Sequence, residues 1–115
     1  MSDTNKPAYL VCSSIFADGH GSLMPYYEAV HSLIEKSGAE LLIAGSREQN
    51  LEIVEGNWAH PDAGFTLFKF ESMEKLEAFW YSEEYQSIKH LRTDVIPPNF
   101  TFIAEGVGPE DYKVE

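Results

Sequence analysis

Two segments of the chain follow a β-strand pattern in which both sides of the strand are apolar. In residues 8–16 the two sides carry Tyr9, Val11 and Ile15, and Leu10, Cys12 and Phe16. Residues 64–70 repeat this arrangement with Phe65, Leu67, Phe68 and Phe70. A strand in a sheet with one face in water alternates apolar and polar side chains instead. Both faces of the predicted sheet therefore require a cover of protein.

The remaining segments alternate between helical and strand-like patterns. A helix is predicted from about Leu23, because Pro25 suits a first helical turn and Gly38 is a natural stop. Ser72 and Ser82 are suitable N-caps for two helical pieces in the second half of the chain. Further strands are predicted over residues 40–45, 51–56 and 100–104, and the second of these either pairs with the first or extends its edge.

The order β-α-β-(β)-β-α-β predicts an α+β fold, a ferredoxin-like βαββαβ sandwich with an antiparallel sheet and two helices on one face. Two helices cover only one face of a four-stranded sheet. The other face stays apolar through Leu10, Leu42, Val54, Phe68 and Phe102, or through their opposite-parity neighbours. Because exposed apolar area on this scale normally marks an interface, we predict a homodimer that forms through the open sheet face.

Length and charge narrow the class of protein further. A chain of 115 residues is predicted to form a single domain over residues 1–115, with a core from about 8 to 105 between a polar N-terminus and an acidic C-terminal tail. Its 19 acidic and 8 basic residues leave a net charge of −11. Such a surface repels phosphate backbones and anionic lipid headgroups, so neither nucleic acid nor a membrane is predicted as a partner.

Two features bear on the compartment. Cys12 is the single cysteine of the chain, so an intrachain disulfide is impossible and a reducing compartment is favoured. Residues 2–7 are polar and precede only a short apolar run, a pattern typical of neither a signal peptide nor a membrane span. We therefore expect a cytoplasmic protein.

Several short strings along the chain point to a family. They are Tyr27 in the first helix, KSGA at 36–39, EGNW at 55–58, FES at 70–72, WYSEEY at 80–85 and Arg92. Together they resemble the bacterial proteins of domain of unknown function family 1330, within the dimeric α/β-barrel (ferredoxin-like) superfamily, from about Ala8 to Glu105. The resemblance implies a homodimer with two sheets facing each other and the helices outside. It implies no particular activity.

Glu55 is one of two candidate catalytic residues. It lies on the same strand parity as Leu51 and Ile53, so its carboxylate is predicted to face an apolar interior. A desolvated carboxylate has a raised pKa and acts as a general acid or base near neutrality. The alternative is that Glu55 ends its strand and accepts hydrogen bonds from the backbone or from an arginine.

Arg92 is the other candidate. It shares a helical face with Tyr85 and Ile88, where it is suited to bind a ligand carboxylate through two hydrogen bonds. The alternative is an ion pair with Glu55 or Glu84.

The candidate ligand-binding residues are aromatic: Tyr27, Trp58, Tyr81 and Tyr85. Tyrosines on helix faces more often belong to the core, with the hydroxyl in water. The histidine spacings match no metal motif, and no phosphate-binding glycine loop occurs, so neither a metal nor a cofactor is predicted.

Three functional hypotheses follow. The first is a homodimer that binds a small, partly apolar organic molecule in a cleft between helices and sheet, lined by Tyr27, Glu55, Trp58, Tyr81 and Arg92. The second is a cofactor-independent enzyme with acid–base or monooxygenase-like chemistry, in which Glu55 is the base. The third is a non-catalytic dimeric module for protein interaction. Whether the protein is an enzyme at all is left open by the sequence.

Overall fold

Eight helices and strands make up the part of the chain that the structure describes. The structure is a computed structural model and describes residues 6–44, 52–57, 60 and 62–108. The elements are β1 Ala8–Ser14, α1 Met24–Ser37, β2 Glu40–Ile43, β3 Thr66–Phe70, α2 Met73–Trp80, α3 Glu83–Ile88, α4 His90–Thr93 and β4 Pro98–Glu105. None of the helices in these ranges is long and apolar enough to cross a membrane.

The four strands form one antiparallel sheet in the order β2-β3-β1-β4. The central strands are β1 and β3, which are the two segments with apolar residues on both sides. The helices pack on one face of this sheet, where they cover Ala8, Leu10 and Phe70. This strand order and the alternation of strands and helices are ferredoxin-like, so the predicted α+β fold is confirmed. β4 extends beyond the predicted strand 100–104 at both ends.

Local capping chemistry explains where the helices begin and end. Pro25 lies in the first turn of α1, and Gly38 ends the helix with a φ of 77°, a left-handed conformation that glycine adopts without strain. The Ser72 hydroxyl accepts a backbone amide hydrogen bond at 3.2 Å in the first turn of α2. The Ser82 hydroxyl does the same at 3.1 Å for α3. The predicted caps are therefore confirmed.

The core lies between the helices and the covered face of the sheet. Leu76 of α2, Phe70 of β3 and Tyr85 of α3 are each at most 1% exposed. The ring centroid of Phe79 is 4.8 Å from that of Tyr85 and 5.6 Å from that of Phe70. Burial of one such side chain contributes about 1.5–3 kcal/mol. These side chains therefore anchor α2 and α3 to the sheet.

The register of the strands decides which residues form the open face. Val11 of β1 lies between Leu67 and Phe102, its Cα partners on β3 and β4. Leu10 and Phe68 are partners of each other and pack into the core beneath the helices. Of the two parities that the sequence pattern leaves open, Leu10 and Phe68 thus belong to the covered face. Their opposite-parity neighbours join Phe102 on the open face.

The strand predicted over residues 51–56 is wrong for the part that the structure describes. Residues 52–56 lie outside every strand and are exposed, and Leu51 falls outside the described residues. Gly56 has a φ of 80°, and both glutamate and glycine are depleted in strands. The segment therefore belongs to the connection between β2 and β3. Val54 is accordingly exposed there and contributes nothing to the sheet.

Candidate ligand-binding cavity

A cavity of about 380 Å³ lies between α1 and the covered face of the sheet. Clefts of a few hundred Å³ are typical of small-molecule sites. Most of its wall is apolar, with contributions from Leu10, Val30, Ile34, Phe68, Phe70 and Phe79. The fold therefore leaves space for a small organic molecule next to the hydrophobic core.

α1 contributes two rows of side chains to this cavity. The rows are Tyr26, Val30 and Ile34, and Tyr27, His31 and Glu35. Side chains that recur every four residues lie on the same side of a helix. Val30 is buried, whereas every member of the second row is exposed. The first row therefore lies over the sheet, and the second row borders the opening of the cavity.

A cluster of Tyr26, Tyr85 and Arg92 supplies polar groups to the wall. The hydroxyl oxygens of Tyr26 and Tyr85 are 2.9 Å apart, and Arg92 Nη2 donates to the Tyr85 hydroxyl at 3.4 Å. The guanidinium carbon lies 5.8 Å from the centroid of the Tyr26 ring, within the range of a cation–π interaction. The cluster therefore connects α1, α3 and α4 at the cavity wall.

Arg92 is only 9% exposed although its guanidinium carries a full charge. Within the described part of the chain, its Nη1 atom has no hydrogen-bond partner and no carboxylate lies within salt-bridge distance. Its contacts are the neutral hydroxyl of Tyr85 and the ring of Tyr26. Buried charges in proteins are normally paired and hydrogen bonded. The cavity wall therefore contains a positive charge that lacks a counter-ion from those residues.

A row of three polar side chains crosses the covered face of the sheet. Cys12 of β1 lies between Thr66 and Thr101, its Cα partners on β3 and β4. Cys12 and Thr66 both line the cavity. The Thr101 hydroxyl is buried and has no hydrogen-bond partner among the described residues. The covered face is thus polar at this level, whereas Leu10 and Phe68, two residues away on their strands, are apolar.

The ionisation states in the cluster follow from its burial. Burial raises the pKa of the Cys12 thiol, and the charge of Arg92 offsets this only in part. Burial also raises the pKa of the Tyr26 phenol well above its ordinary value, and the adjacent Tyr85 adds to the effect. For Arg92, burial acts to lower the pKa, but the interactions with Tyr85 and Tyr26 raise it overall. At neutral pH the thiol and the phenol are therefore neutral, and the guanidinium is charged.

The opening of the cavity carries an ionisable pair. His31 Nε2 lies 3.4 Å from Glu35 Oε2, one helical turn away, and both side chains are largely exposed. Tyr27, in the same row, is 51% exposed. Exposed ion pairs contribute little to stability. The pair does, however, place a carboxylate at the entrance, opposite in sign to the charge inside.

The structure brings together part of the set of residues predicted for a site. The lining of the cavity includes Tyr27, Tyr85 and Arg92. Tyr81 is 65% exposed and does not line the cavity. Trp58 lies outside the described residues.

Glu55 differs most from its prediction. The parity that directed its carboxylate inward depends on a strand over residues 51–56, and no strand forms over 52–56. Glu55 is exposed and is not among the residues that line the cavity. Its predicted inward orientation is therefore wrong, and the alternative ion pair with Arg92 is absent among the described contacts. Its role in catalysis stays a prediction.

Tyr26 and Cys12 line the cavity, although neither was predicted as a site residue. The sequence could have indicated Tyr26, because its spacing places it on the same side of the helix as Val30 and Ile34. Cys12 shares its strand parity with Leu10, but the sequence does not say which parity the helices cover. No group of three histidine, cysteine, aspartate or glutamate side chains that could hold a metal ion occurs in the described ranges.

Comparison with protein families identifies the chain. It matches the family described as domain of unknown function (DUF1330) over residues 7–107. The chain belongs to this family, and the resemblance seen in its short strings is confirmed. No curated protein sequence matches the chain.

Solved structures with a similar arrangement have low sequence identity to this chain. A protein of unknown function from Rhodopseudomonas palustris aligns with a TM-score of 0.55 and 9% identity, covering 93% of this chain and 87% of that one. A Pseudomonas aeruginosa protein aligns with a TM-score of 0.44 and 12% identity, covering 90% of this chain and 95% of that one. A third structure is that of a protein from Chloroflexus aurantiacus J-10-fl, provisionally assigned as an antibiotic biosynthesis monooxygenase. It aligns with a TM-score of 0.41 and 14% identity, covering 89% of this chain and 94% of that one. The first of these supports the fold and says nothing of the activity.

Proposed function

We propose that this member of the DUF1330 family is a homodimer that binds a small, partly apolar organic molecule in the cavity between α1 and the sheet. The observation that carries the proposal is the cavity itself, in which apolar walls surround one buried charge. Protein interiors normally pack densely, because an empty space forfeits van der Waals contacts on every side. A space of this size beside the core is therefore better explained by a ligand than by packing alone.

The composition of the wall supports a ligand with an apolar body and a polar end. The wall combines apolar side chains, such as Phe68 and Ile34, with the cluster around Arg92. Burial of apolar ligand surface contributes about 25 cal/mol per Å², while a few placed polar groups set the orientation. Affinity is thus expected from the apolar side chains, and the direction of binding from the cluster.

The homodimer part of the proposal rests on the open sheet face. Phe100 and Phe102 stack there with their ring centroids 5.9 Å apart, and Phe102 is 49% exposed. Val11 and Leu67, beside Phe102, are only partly buried. Such a face suits a second copy of itself, because a two-fold interface brings the same patch from both copies together. Sedimentation equilibrium is expected to give a dimer at micromolar concentration, and a monomer would contradict this part.

Cys12 offers a direct test of cavity binding, because it lines the cavity and is the only cysteine in the chain. The protein is incubated with a library of small, partly apolar metabolites, and alkylation of Cys12 by iodoacetamide is followed by mass spectrometry. A molecule bound in the cavity is expected to slow the alkylation and to raise the Tm. If no member of the library slows the alkylation, the proposed site is wrong.

A matched pair of variants shows whether protection comes from the cavity. Leu41 and Leu42 are adjacent on β2 and both about half exposed, but only Leu41 lines the cavity. Leu41→Trp is expected to narrow the cavity and weaken binding, since the larger side chain occupies part of its wall. Leu42→Trp is expected to leave binding unchanged. Equal effects of the two variants would contradict a site in this cavity.

The hypothesis of catalysis by Glu55 gains no support from its position, because the residue is exposed and does not line the cavity. Glu55→Gln is therefore expected to leave ligand binding unchanged. Loss of binding in a folded Glu55→Gln protein would return Glu55 to the site. The hypothesis of a non-catalytic interaction module predicts a solid core, and the cavity favours ligand binding over it.

A further inference from the structure

We propose that the ligand carries a single negative charge, of the carboxylate class, and binds with that charge against Arg92. This inference rests on the proposed function, because it specifies the chemistry of the molecule in the same cavity. The apolar part of the ligand then extends along the wall formed by α1 and β3. The protein would thus bind a small organic monoacid rather than a neutral molecule or a phosphate ester.

The first support is the lack of a counter-ion for Arg92. The guanidinium is nine-tenths buried, and its described partners, the Tyr85 hydroxyl and the Tyr26 ring, are neutral. Nη1 has no partner in the part of the chain that the structure describes. A buried arginine without a carboxylate retains the cost of desolvation without the compensating attraction. A carboxylate ligand at the cavity wall would supply that attraction.

The second support is the protonation of the neighbouring groups. Burial raises the pKa of the Cys12 thiol and of the Tyr26 phenol, so neither group forms an anion that would neutralise Arg92 at neutral pH. Both keep their hydrogen, and the Tyr85 hydroxyl lies 2.9 Å from that of Tyr26. An anionic head group therefore has neutral donors around a single permanent cation.

The third support concerns the number of charges on the ligand. Among the described residues that line the cavity, Arg92 is the one with a permanent positive charge. Glu35 lies at the opening next to His31, and the chain carries a net charge of −11. A second negative charge on the ligand would meet no further fixed cation and would be repelled by Glu35. One charge is therefore favoured over two.

The experiment compares three probes that share one alkyl chain: octanoate, octanamide and octyl phosphate. Their affinities for the unaltered protein are measured by protection of Cys12 from iodoacetamide, and by isothermal titration calorimetry. Octanoate is expected to bind roughly tenfold or more tightly than octanamide, because a hydrogen bond to a charged group is the stronger kind. It is also expected to bind more tightly than doubly charged octyl phosphate.

Each outcome separates this inference from the proposed function. Equal binding of octanoate and octanamide, with Cys12 protected by both, would overturn the inference and leave a cavity for neutral ligands. Tighter binding of octyl phosphate would overturn the assignment of a single charge. If neither the probes nor the metabolite library protect Cys12, the proposed function fails and the inference fails with it.

Variants at Arg92 then locate the charge. Arg92→Gln is expected to remove the preference for octanoate over octanamide. Arg92→Lys retains a positive charge and is expected to keep part of that preference. A preference for octanoate that survives in folded Arg92→Gln would overturn the role of Arg92. The comparison of probes on the unaltered protein does not depend on whether either variant folds.

Discussion

The two faces of the sheet use alternate residues of the same strands, yet they present different chemistry. On the covered face, apolar side chains are interrupted by Cys12, Thr66 and Thr101, and a buried Arg92 borders the same cavity. On the open face, the stacked rings of Phe100 and Phe102 are exposed. Each strand thus contributes alternate side chains to two surfaces of different chemical character.

The difference lies in what each environment does to a polar group. Under the helices, a buried donor or charge without a partner is costly, because the local dielectric is lower than that of bulk water. A ligand that satisfies such a group is favoured strongly over one that does not. On the open face, the driving force is the non-directional burial of apolar area. The covered face is therefore suited to recognition and the open face to association.

The largest effect is expected from the packing of the covered face. Leu76 of α2 is fully buried against the core. Leu76→Ala is expected to lower the free energy of unfolding by about 2–5 kcal/mol, because the substitution leaves a cavity that the surroundings fill only in part. Denaturation with urea measures the change. The neighbouring, exposed Glu77→Ala serves as the control, and comparable losses in both variants would contradict the assignment of Leu76 to the core.

A second substitution addresses the open face alone. Phe102→Glu is expected to weaken dimerisation by about 2 kcal/mol or more, because it places a charge at the centre of the proposed interface. Sedimentation equilibrium and circular dichroism together should show a folded monomer. Val107→Glu, at an exposed position after β4, is the control and should remain dimeric. A Phe102→Glu protein that stays fully dimeric would remove the open face from the interface.

A smaller effect is expected at Tyr85, where apolar packing and hydrogen bonding meet on the covered side of the sheet. Tyr85→Phe keeps the ring against Phe79 but removes the hydroxyl that contacts Tyr26 and Arg92. The free energy of unfolding should fall by about 1–3 kcal/mol, since buried polar groups lose a partner. Thermal and urea denaturation report the change. Tyr81→Phe, at an exposed position, should behave like the unaltered protein, and equal effects would contradict the cluster.

The smallest effect concerns pH and the Cys12 thiol. Its pKa is raised in the folded protein, so the thiolate is better tolerated in the unfolded chain. The stabilising contribution of the neutral Cys12 thiol is therefore complete below the pKa of a thiol in the unfolded chain, about 8.5. It is lost as the pH rises from that value through the higher pKa of the folded protein. The difference in stability between the unaltered protein and Cys12→Ala should shrink over this range. A difference that is constant or grows with pH would contradict a raised pKa.

Local patterns predicted much of the fold. Capping by Ser72 and Ser82, the stop at Gly38 and the two central strands depend on residues close together in sequence, and all were recovered. The strand predicted over 51–56 was wrong for the described residues, because two glutamates among apolar residues resemble the pattern of a half-exposed strand. Whether such a segment pairs depends on a neighbouring strand rather than on its own residues.

The lining of the cavity was predicted only in part, for a related reason. Tyr27, Tyr85 and Arg92, which line it, lie on helices, whose faces can be derived from spacing. Glu55 was misplaced because its direction depended on a strand that does not form. Cys12 was placed in a strand but not in a site, since the sequence does not specify what packs above it.

The sequence by itself determined the elements, their caps and the apolar character of both sheet faces, because these depend on neighbours along the chain. Only the tertiary structure decided which parity of β1 the helices cover, and that Arg92 borders a cavity with no counter-ion among the described residues. Burial and charge compensation depend on groups that approach within a few Å from distant parts of the chain. The apolar character of the proposed interface is therefore predictable from pattern, whereas the burial of Arg92 without a counter-ion is not.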